Sequence, residues 1–121
     1  MSFPKALRGP AVAILVLAGS GGPGFSADSG WWLVLGSIAT PDHRFTDDTL
    51  AAARGIERDA RRCGVTAFWD FSSKFSGFAR GYTVVVAEQP FGSRSRAERA
   101  LARARACVPD AYLKRGRYAG E

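Results

Sequence analysis

Aromatic and cationic side chains are concentrated in one stretch of the chain, residues 71–80. These side chains are three phenylalanines and two cations, namely Phe71, Lys74, Phe75, Phe78 and Arg80. Aromatic rings stack on the C–H faces of sugars, while nearby polar or charged groups bind the hydroxyls and acidic substituents. The pattern predicts either a platform that binds ring-shaped polar ligands or a lid that folds its rings back over an apolar sheet.

Residue types that perform acid–base or nucleophilic chemistry are sparse. His43 is the only histidine and falls in a predicted turn beside Asp42. Ser73 directly precedes Lys74, but adjacency in a loop does not create the geometry of a Ser–Lys nucleophile. Asp70 is expected to orient the start of that loop through backbone amides. We therefore predict no enzyme, with a hydrolase using Ser73 or Asp70 as the least favoured alternative.

The two cysteines, Cys63 and Cys107, each follow a predicted helix. A disulfide between them is typical of a small exported domain, and no Cys, His and carboxylate spacing indicates a metal or cofactor site. Antiparallel helices would instead place their ends about 20 Å apart, whereas a bridge needs Cα atoms within about 7 Å. The alternatives are an intramolecular disulfide, two buried thiols, or a link between two chains.

The amino-terminal residues have the pattern of a secretory signal peptide. Lys5 and Arg8 precede an apolar run at residues 11–18, which is too short to span a bilayer. Small residues suggest cleavage after Ser26 or Ala27, with an uncleaved anchor as the alternative. We predict a signal peptide over residues 1–27, a domain over 28–121, and a periplasmic or secreted location without a stable membrane span after cleavage.

The predicted mature chain is basic and long enough for one domain. Loss of Lys5 and Arg8 lowers the formal charge from +6 to about +4. Most of the remaining excess lies on the second predicted helix, where arginines usually form a solvated face. The alternative is attraction to anionic envelope polymers. Nucleic acid is not an expected partner, since no basic–aromatic recognition motif is present.

An internal repeat indicates the fold. Strand-like runs at residues 31–37 and 82–86 are each followed by an Ala/Arg-rich helical stretch, at 46–62 and 95–106. Thr46 and Ser95 have the pattern of helix N-caps. Two further strands, near residues 65–71 and 111–115, complete the order β-α-β-β-α-β. This order predicts an α+β, ferredoxin-like sandwich with two helices on one face of a four-stranded antiparallel sheet.

Alternation along the first strand separates its two faces. Trp31, Leu33 and Leu35 fall on one side, assigned to the helices, and Trp32 and Val34 on the other. Both sides are apolar, so the sheet face without helices is expected to be an apolar floor rather than a solvated surface.

By the same parity, the third strand is expected to send alternate residues to opposite faces. Tyr82, Val84 and Val86 are assigned to the helix side. Thr83 and Val85 are assigned to the open face, beside Trp32 and Val34.

Residues 31–38, 82–91 and 93–101 resemble the SPOR (sporulation-related repeat) domain, whose strands commonly read aromatic-x-V-Q-V-G-S-F and Y-R-V-x-V-G-P-F. The resemblance covers nearly all of residues 28–121. It implies a non-enzymatic bacterial cell-envelope module that binds peptidoglycan, typically glycan strands stripped of stem peptides, through the open sheet face.

This chain departs from the family pattern at three polar positions. Val34 stands where the family has a strand-one glutamine, and Thr83 and Val85 stand at its strand-three arginine positions. The expected binding surface for glycan or a partner therefore combines the open face with the aromatic loop: Trp32, Val34, Phe71, Lys74, Phe75, Phe78, Arg80, Thr83 and Val85.

The alternative function is a small periplasmic protein-interaction or self-associating domain that uses the same apolar face and the 72–81 loop. The partner would then be a periplasmic protein or a second copy of the chain rather than peptidoglycan or another envelope polymer. Polarity separates the two hypotheses, because sugar sites need hydroxyls and amides among the rings whereas protein interfaces tolerate a drier patch.

Overall fold

A computed structural model describes residues 28–120. The predicted signal peptide, residues 1–27, lies outside the described residues. None of the helices between residues 28 and 120 is long and apolar enough to cross a membrane.

The described chain is an α+β fold in the predicted order. Its strands are β1 (Ser29–Ala39), β2 (Ala67–Phe71), β3 (Tyr82–Ala87) and β4 (Tyr112–Arg117), and its helices are α1 (Asp47–Arg62) and α2 (Arg94–Ala104). The strands form one antiparallel sheet in the order β2-β3-β1-β4. The four-stranded antiparallel sheet and two helices are confirmed, and this arrangement is consistent with a ferredoxin-like sandwich.

Helix α1 begins and ends where its capping residues predict. The Thr46 hydroxyl accepts a hydrogen bond from the Thr49 backbone N–H at 3.1 Å, and Asp47 and Asp48 occupy the first turn. After the helix, Gly64 takes φ +80°, a left-handed conformation that favours glycine.

Helix α2 begins two residues earlier than expected. Its N-cap is Ser93, whose hydroxyl accepts from the Arg96 N–H at 3.3 Å, so the prediction of Ser95 as the cap is wrong. The inward side is made of three alanines, Ala97, Ala100 and Ala104. Small side chains at this spacing allow a short helix to pack close to the sheet.

The helix side of the sheet is the first hydrophobic core. Leu33 and Leu35 of β1 lie there with Ala53 and Ala60 of α1, and all four are at most 1% exposed. Trp31 lies at the margin of this side. The guanidinium groups of Arg94 from α2 and Arg115 from β4 lie 5.0 and 5.3 Å from the centre of its ring.

Cys63 and Cys107 form a disulfide, with Cα atoms 6.0 Å apart. The expected wide separation of the two helix ends is therefore wrong. Helix α2 has 11 residues against 16 in α1, and the chain then enters β4 at Tyr112, opposite Val34 in the middle of β1. The end of α2 consequently stays over the middle of the sheet, within reach of the last turn of α1.

The predicted faces of β3 are wrong, and the strand pairing shows why. Val34 pairs with Val86, so both side chains point to the face without helices, together with Trp32 and Val84. Val85 instead packs in the helix-side core. Because β3 is apolar on both sides, alternation within it carried no information about which side faces the helices.

Thr83 shares the helix side with Val85 and is fully buried. Its hydroxyl lies 3.0 Å from that of Thr40, which satisfies both groups. Thr83 and Val85 are therefore inaccessible from the opposite face, and their assignment to a binding surface there is wrong.

A β-bulge alters β1 near its middle. The register with β3 shifts between Val34 and Gly36, so Leu35 is an extra residue. A Cβ on Gly36 would lie 2.5 Å from the Ile56 side chain of α1, whereas Ser37 points to the opposite face. The bulge thus places a hydroxyl on the face without helices.

Candidate functional site: a tyrosine-edged cleft beside the strap

Residues 72–81, which we call the strap, cross the sheet face that lacks helices. The strap leaves β2 at one edge and reaches β4 at the other, where the Ser76 N–H donates to the Arg117 carbonyl at 2.9 Å. It then returns to β3, and the Tyr82 N–H donates to the Ser72 hydroxyl at 3.1 Å, which ties the two ends of the strap together. The 72–81 loop is thus a fixed cover rather than a projecting arm.

The strap buries the rings that were expected to bind ligand. Trp32 is 1% exposed, Phe75 is 3% exposed and Phe78 is 9% exposed. The Trp32 ring meets Phe75 edge-on, and its N–H donates to the Gly116 carbonyl at 3.1 Å. With Val34 and Phe68 these residues form a second hydrophobic core. Of the two interpretations of the aromatic stretch, the lid that folds its rings over the sheet is therefore the one that this structure matches.

Close backbone approach holds the strap against β4. A Cβ on Gly116 would lie 2.5 Å from the Ser76 carbonyl oxygen and 2.9 Å from the Phe78 ring. Gly77 takes φ +82°, which an L side chain rarely adopts. The strap can lie this low only because these two positions lack side chains.

The other predicted site residues are dispersed. Phe71, the last residue of β2, pairs with Thr83 on the helix side of the sheet and stacks on Phe45, with ring centroids 4.3 Å apart. The Lys74 ammonium donates to the Gly120 carbonyl at 3.0 Å, and Arg80 is exposed at the end of the strap. These three side chains do not converge on one surface.

Beside the strap, part of the sheet face stays open as a cleft of 390 Å³. Its floor is Val84 and Ser37, and Phe78 and Ala79 of the strap form one wall. The remaining lining residues are two tyrosines and a lysine: Tyr82, Tyr112 and Lys114.

The two tyrosines are the main exposed rings of this cleft. Tyr82 and Tyr112 are each 40% exposed, and the Tyr112 hydroxyl lies 3.1 Å from the Ser37 hydroxyl, within hydrogen-bond distance. Among the described residues that line the cleft, Lys114 is the only charged one. Two tyrosine rings, three hydroxyls and one cation therefore line the cleft around an apolar floor.

The sequence prediction did not include Ser37, Tyr82 or Tyr112 among the site residues, for an identifiable reason. Alternation along β3 assigns Tyr82 to the helix side with Val84 and Val86, and the sequence pattern assigns Ser37 to neither face. The register of β1 with β4, which places Tyr112 opposite Val34 and Lys114 opposite Trp32, brings the remaining members to the same face. Correct parity for β3 would have placed Tyr82 beside them.

Asp70 and Lys74, two residues considered for catalysis, are held by hydrogen bonds within the domain. The Asp70 carboxylate accepts hydrogen bonds from the Phe71 N–H at 2.7 Å and from the Tyr118 hydroxyl at 2.6 Å, as a group that orients the start of the strap would. Lys74 is engaged by Gly120 rather than by a serine. Among residues 28–120, no group of three or more His, Cys, Asp or Glu residues could hold a metal ion.

Comparison with known proteins adds no relative: no family model, no curated protein and no solved structure matches this chain.

Proposed function

We propose that this protein is an exported, non-enzymatic module that binds glycan strands of the cell envelope in the cleft between Tyr82 and Tyr112. The observation that carries the proposal is the pair of half-exposed tyrosine rings beside an apolar floor. Rings of this kind stack on sugar C–H faces, and the Ser37 and Tyr112 hydroxyls can exchange hydrogen bonds with sugar hydroxyls.

Peptidoglycan is the proposed polymer, with strands stripped of stem peptides favoured. The resemblance of the strand motifs to the SPOR domain supports this choice, as does the signal-peptide pattern of residues 1–27. Lys114 supports it independently, since an ammonium group at the cleft favours a ligand with a free carboxylate, and removal of the stem peptide frees one on each muramic acid residue.

The location of the proposed site differs from the expected one. The apolar floor under the strap, with Trp32 at its centre, is a packed core, so the ligand would meet only the part of the face that the strap leaves open. The same coverage weakens the alternative of a broad apolar protein-binding face, because most of that face is already occupied by the strap.

Co-sedimentation with purified sacculi tests the proposal. The chain of residues 28–121 is mixed with sacculi, untreated or stripped by an amidase, at low and moderate salt. We expect enrichment on stripped sacculi that is lost in Tyr82→Ala and in Tyr112→Ala.

Phe45→Ala is the matched control, because Phe45 is 41% exposed, like the two tyrosines, but stacks on Phe71 away from the cleft. This variant should bind as the parent does. Protein that stays in the supernatant under every condition would refute the glycan proposal, and equal loss in all three variants would place binding elsewhere than the cleft.

A further inference from the structure

The backbone of β2 offers unpaired hydrogen-bonding groups at one edge of the sheet. The Glu88 N–H donates to the Thr66 carbonyl at 3.0 Å, which fixes the phase of the ladder between β2 and β3. In an antiparallel pair, alternate residues direct their N–H and C=O groups to the partner strand and the others direct them away. The residues of β2 that point outward are therefore Ala67, Trp69 and Phe71.

Little within residues 28–120 satisfies these outward groups. The Phe71 N–H is taken by the Asp70 carboxylate, but no hydrogen bond between described residues reaches the outward N–H and C=O groups of Ala67 and Trp69. Such an edge is a template for pairing with another strand.

The opposite edge is protected at its end by the strap and along its length by charge. On β4, Arg117 points its backbone outward, and the strap pairs with it through Ser76. Lys114 and Arg115 add charges along the same strand. Strand β2 carries neither lysine nor proline, and its one charged residue, Asp70, is bound by the Tyr118 hydroxyl. Only one of the two edges is therefore protected against strand pairing.

We propose that β2 is a docking edge for a second copy of this chain, paired antiparallel about a two-fold axis at Trp69. Trp69 and the partner copy's equivalent residue then exchange two hydrogen bonds, and Ala67 N–H and Phe71 C=O of the two copies supply two more. This register uses the outward groups that are free in the single chain and joins two sheets into one.

Side-chain placement is compatible with this register. A two-fold axis at Trp69 sets Asp70 opposite Phe68 of the other copy, so the two carboxylates do not face each other. The Trp69 rings, only partly buried in one chain, become cross-strand neighbours, an arrangement that stabilises antiparallel pairs.

A second copy is favoured over open-ended assembly by the difference between the edges. Head-to-tail growth would require β2 to pair with β4, which the strap and the charges of β4 obstruct. Pairing of β2 with itself is isologous and closes after two chains. Strand β2 contributes no residue to the cleft, so dimer formation and glycan binding can be tested independently.

Sedimentation velocity of residues 28–121 with the disulfide intact, over a wide concentration range, tests this inference. We expect a monomer–dimer equilibrium. Ala67→Pro removes one outward N–H without touching the ladder to β3, and it should raise the dimer dissociation constant roughly tenfold or more. Arg115→Pro, at an outward position of β4, is the matched control and should leave association unchanged.

A second pair of variants tests the same edge in case Ala67→Pro does not fold. Thr66, which directly precedes β2, is exposed, so Thr66→Lys adds a charge beside the edge and should likewise weaken the dimer. Ser95→Lys on the exposed side of α2 should not. A monomer at every concentration overturns the proposal. So does a dimer that persists in both edge variants, or one that the control substitutions abolish equally.

Discussion

The indole of Trp32 meets the ring of Phe75 edge-on, with centroids 5.2 Å apart and an interplanar angle of 87°. Phe75 belongs to the strap and Trp32 to the central strand β1, so this contact joins the cover to the sheet. Edge-to-face geometry is favourable for aromatic pairs, and here it closes a second core on the face that helices leave bare. The strap therefore covers apolar side chains on one face of the sheet, as α1 and α2 do on the other.

We expect Trp32→Ala to be a stability variant rather than a binding variant. Removal of a fully buried indole should lower the free energy of unfolding by about 3–5 kcal/mol, because the cavity lies between the sheet and the strap. Urea denaturation of the two proteins measures the difference. Tyr82→Ala is the control, since a half-exposed ring should contribute about 1 kcal/mol or less; equal destabilisation by both would contradict the packing described here.

Gly116→Ala should displace the strap. The added methyl would collide with the Ser76 carbonyl, so we expect a loss of about 1–3 kcal/mol in unfolding free energy and faster proteolysis within residues 72–81. Limited proteolysis under native conditions measures the second effect.

Gly92→Ala provides the comparison, because a Cβ at Gly92 meets nothing within 4 Å. It should change stability by no more than about 0.5 kcal/mol. If Gly116→Ala resists proteolysis as the parent does, the close approach of strap and β4 is not what holds the cover in place.

The elements were predictable from local signals, and so were the two faces of β1, whereas the faces of β3 were not. Thr46 and its acidic neighbours mark the start of α1 because capping is a short-range interaction. The orientation of β3 depends on its partner strands, since valines occupy both of its sides. Only the pairing of Val34 with Val86 assigns each side, and that pairing is a long-range property.

The cleft was unpredictable for a related reason. Ser37 owes its orientation to the bulge after Val34, and Tyr112 reaches Ser37 because β4 begins opposite the middle of β1. Neither the bulge nor the starting point of an edge strand has a distinctive residue pattern here. The aromatic stretch is conspicuous in the sequence, but Phe75 and Phe78 are buried against the sheet and are not available to a ligand.

Lys114 should set the charge preference of the cleft. We expect Lys114→Gln to weaken binding to stripped sacculi roughly fivefold and to reduce its dependence on salt, because an ammonium–carboxylate contact of about 1 kcal/mol is lost. Co-sedimentation at two salt concentrations measures both changes.

Arg99→Gln makes the same change in net charge on the exposed surface of α2, on the opposite side of the sheet. It should affect binding little. Equal weakening by the two variants would indicate general electrostatic attraction to the polymer instead of recognition at the cleft, and no effect of either would remove Lys114 from the site.

The disulfide should account for a large share of the stability of this small domain. Cys63 and Cys107 are 44 residues apart, and closure of a loop of that length restricts the unfolded chain by about 4 kcal/mol. We expect the double change Cys63→Ala and Cys107→Ala to lower the urea midpoint, and reduction of the parent protein to do the same. Addition of reductant to the double variant should have no further effect, because it has no bridge to break. A parent protein whose midpoint is the same with and without reductant, after mass analysis has verified reduction, would show that packing of α1 and α2 on the sheet suffices without the covalent link.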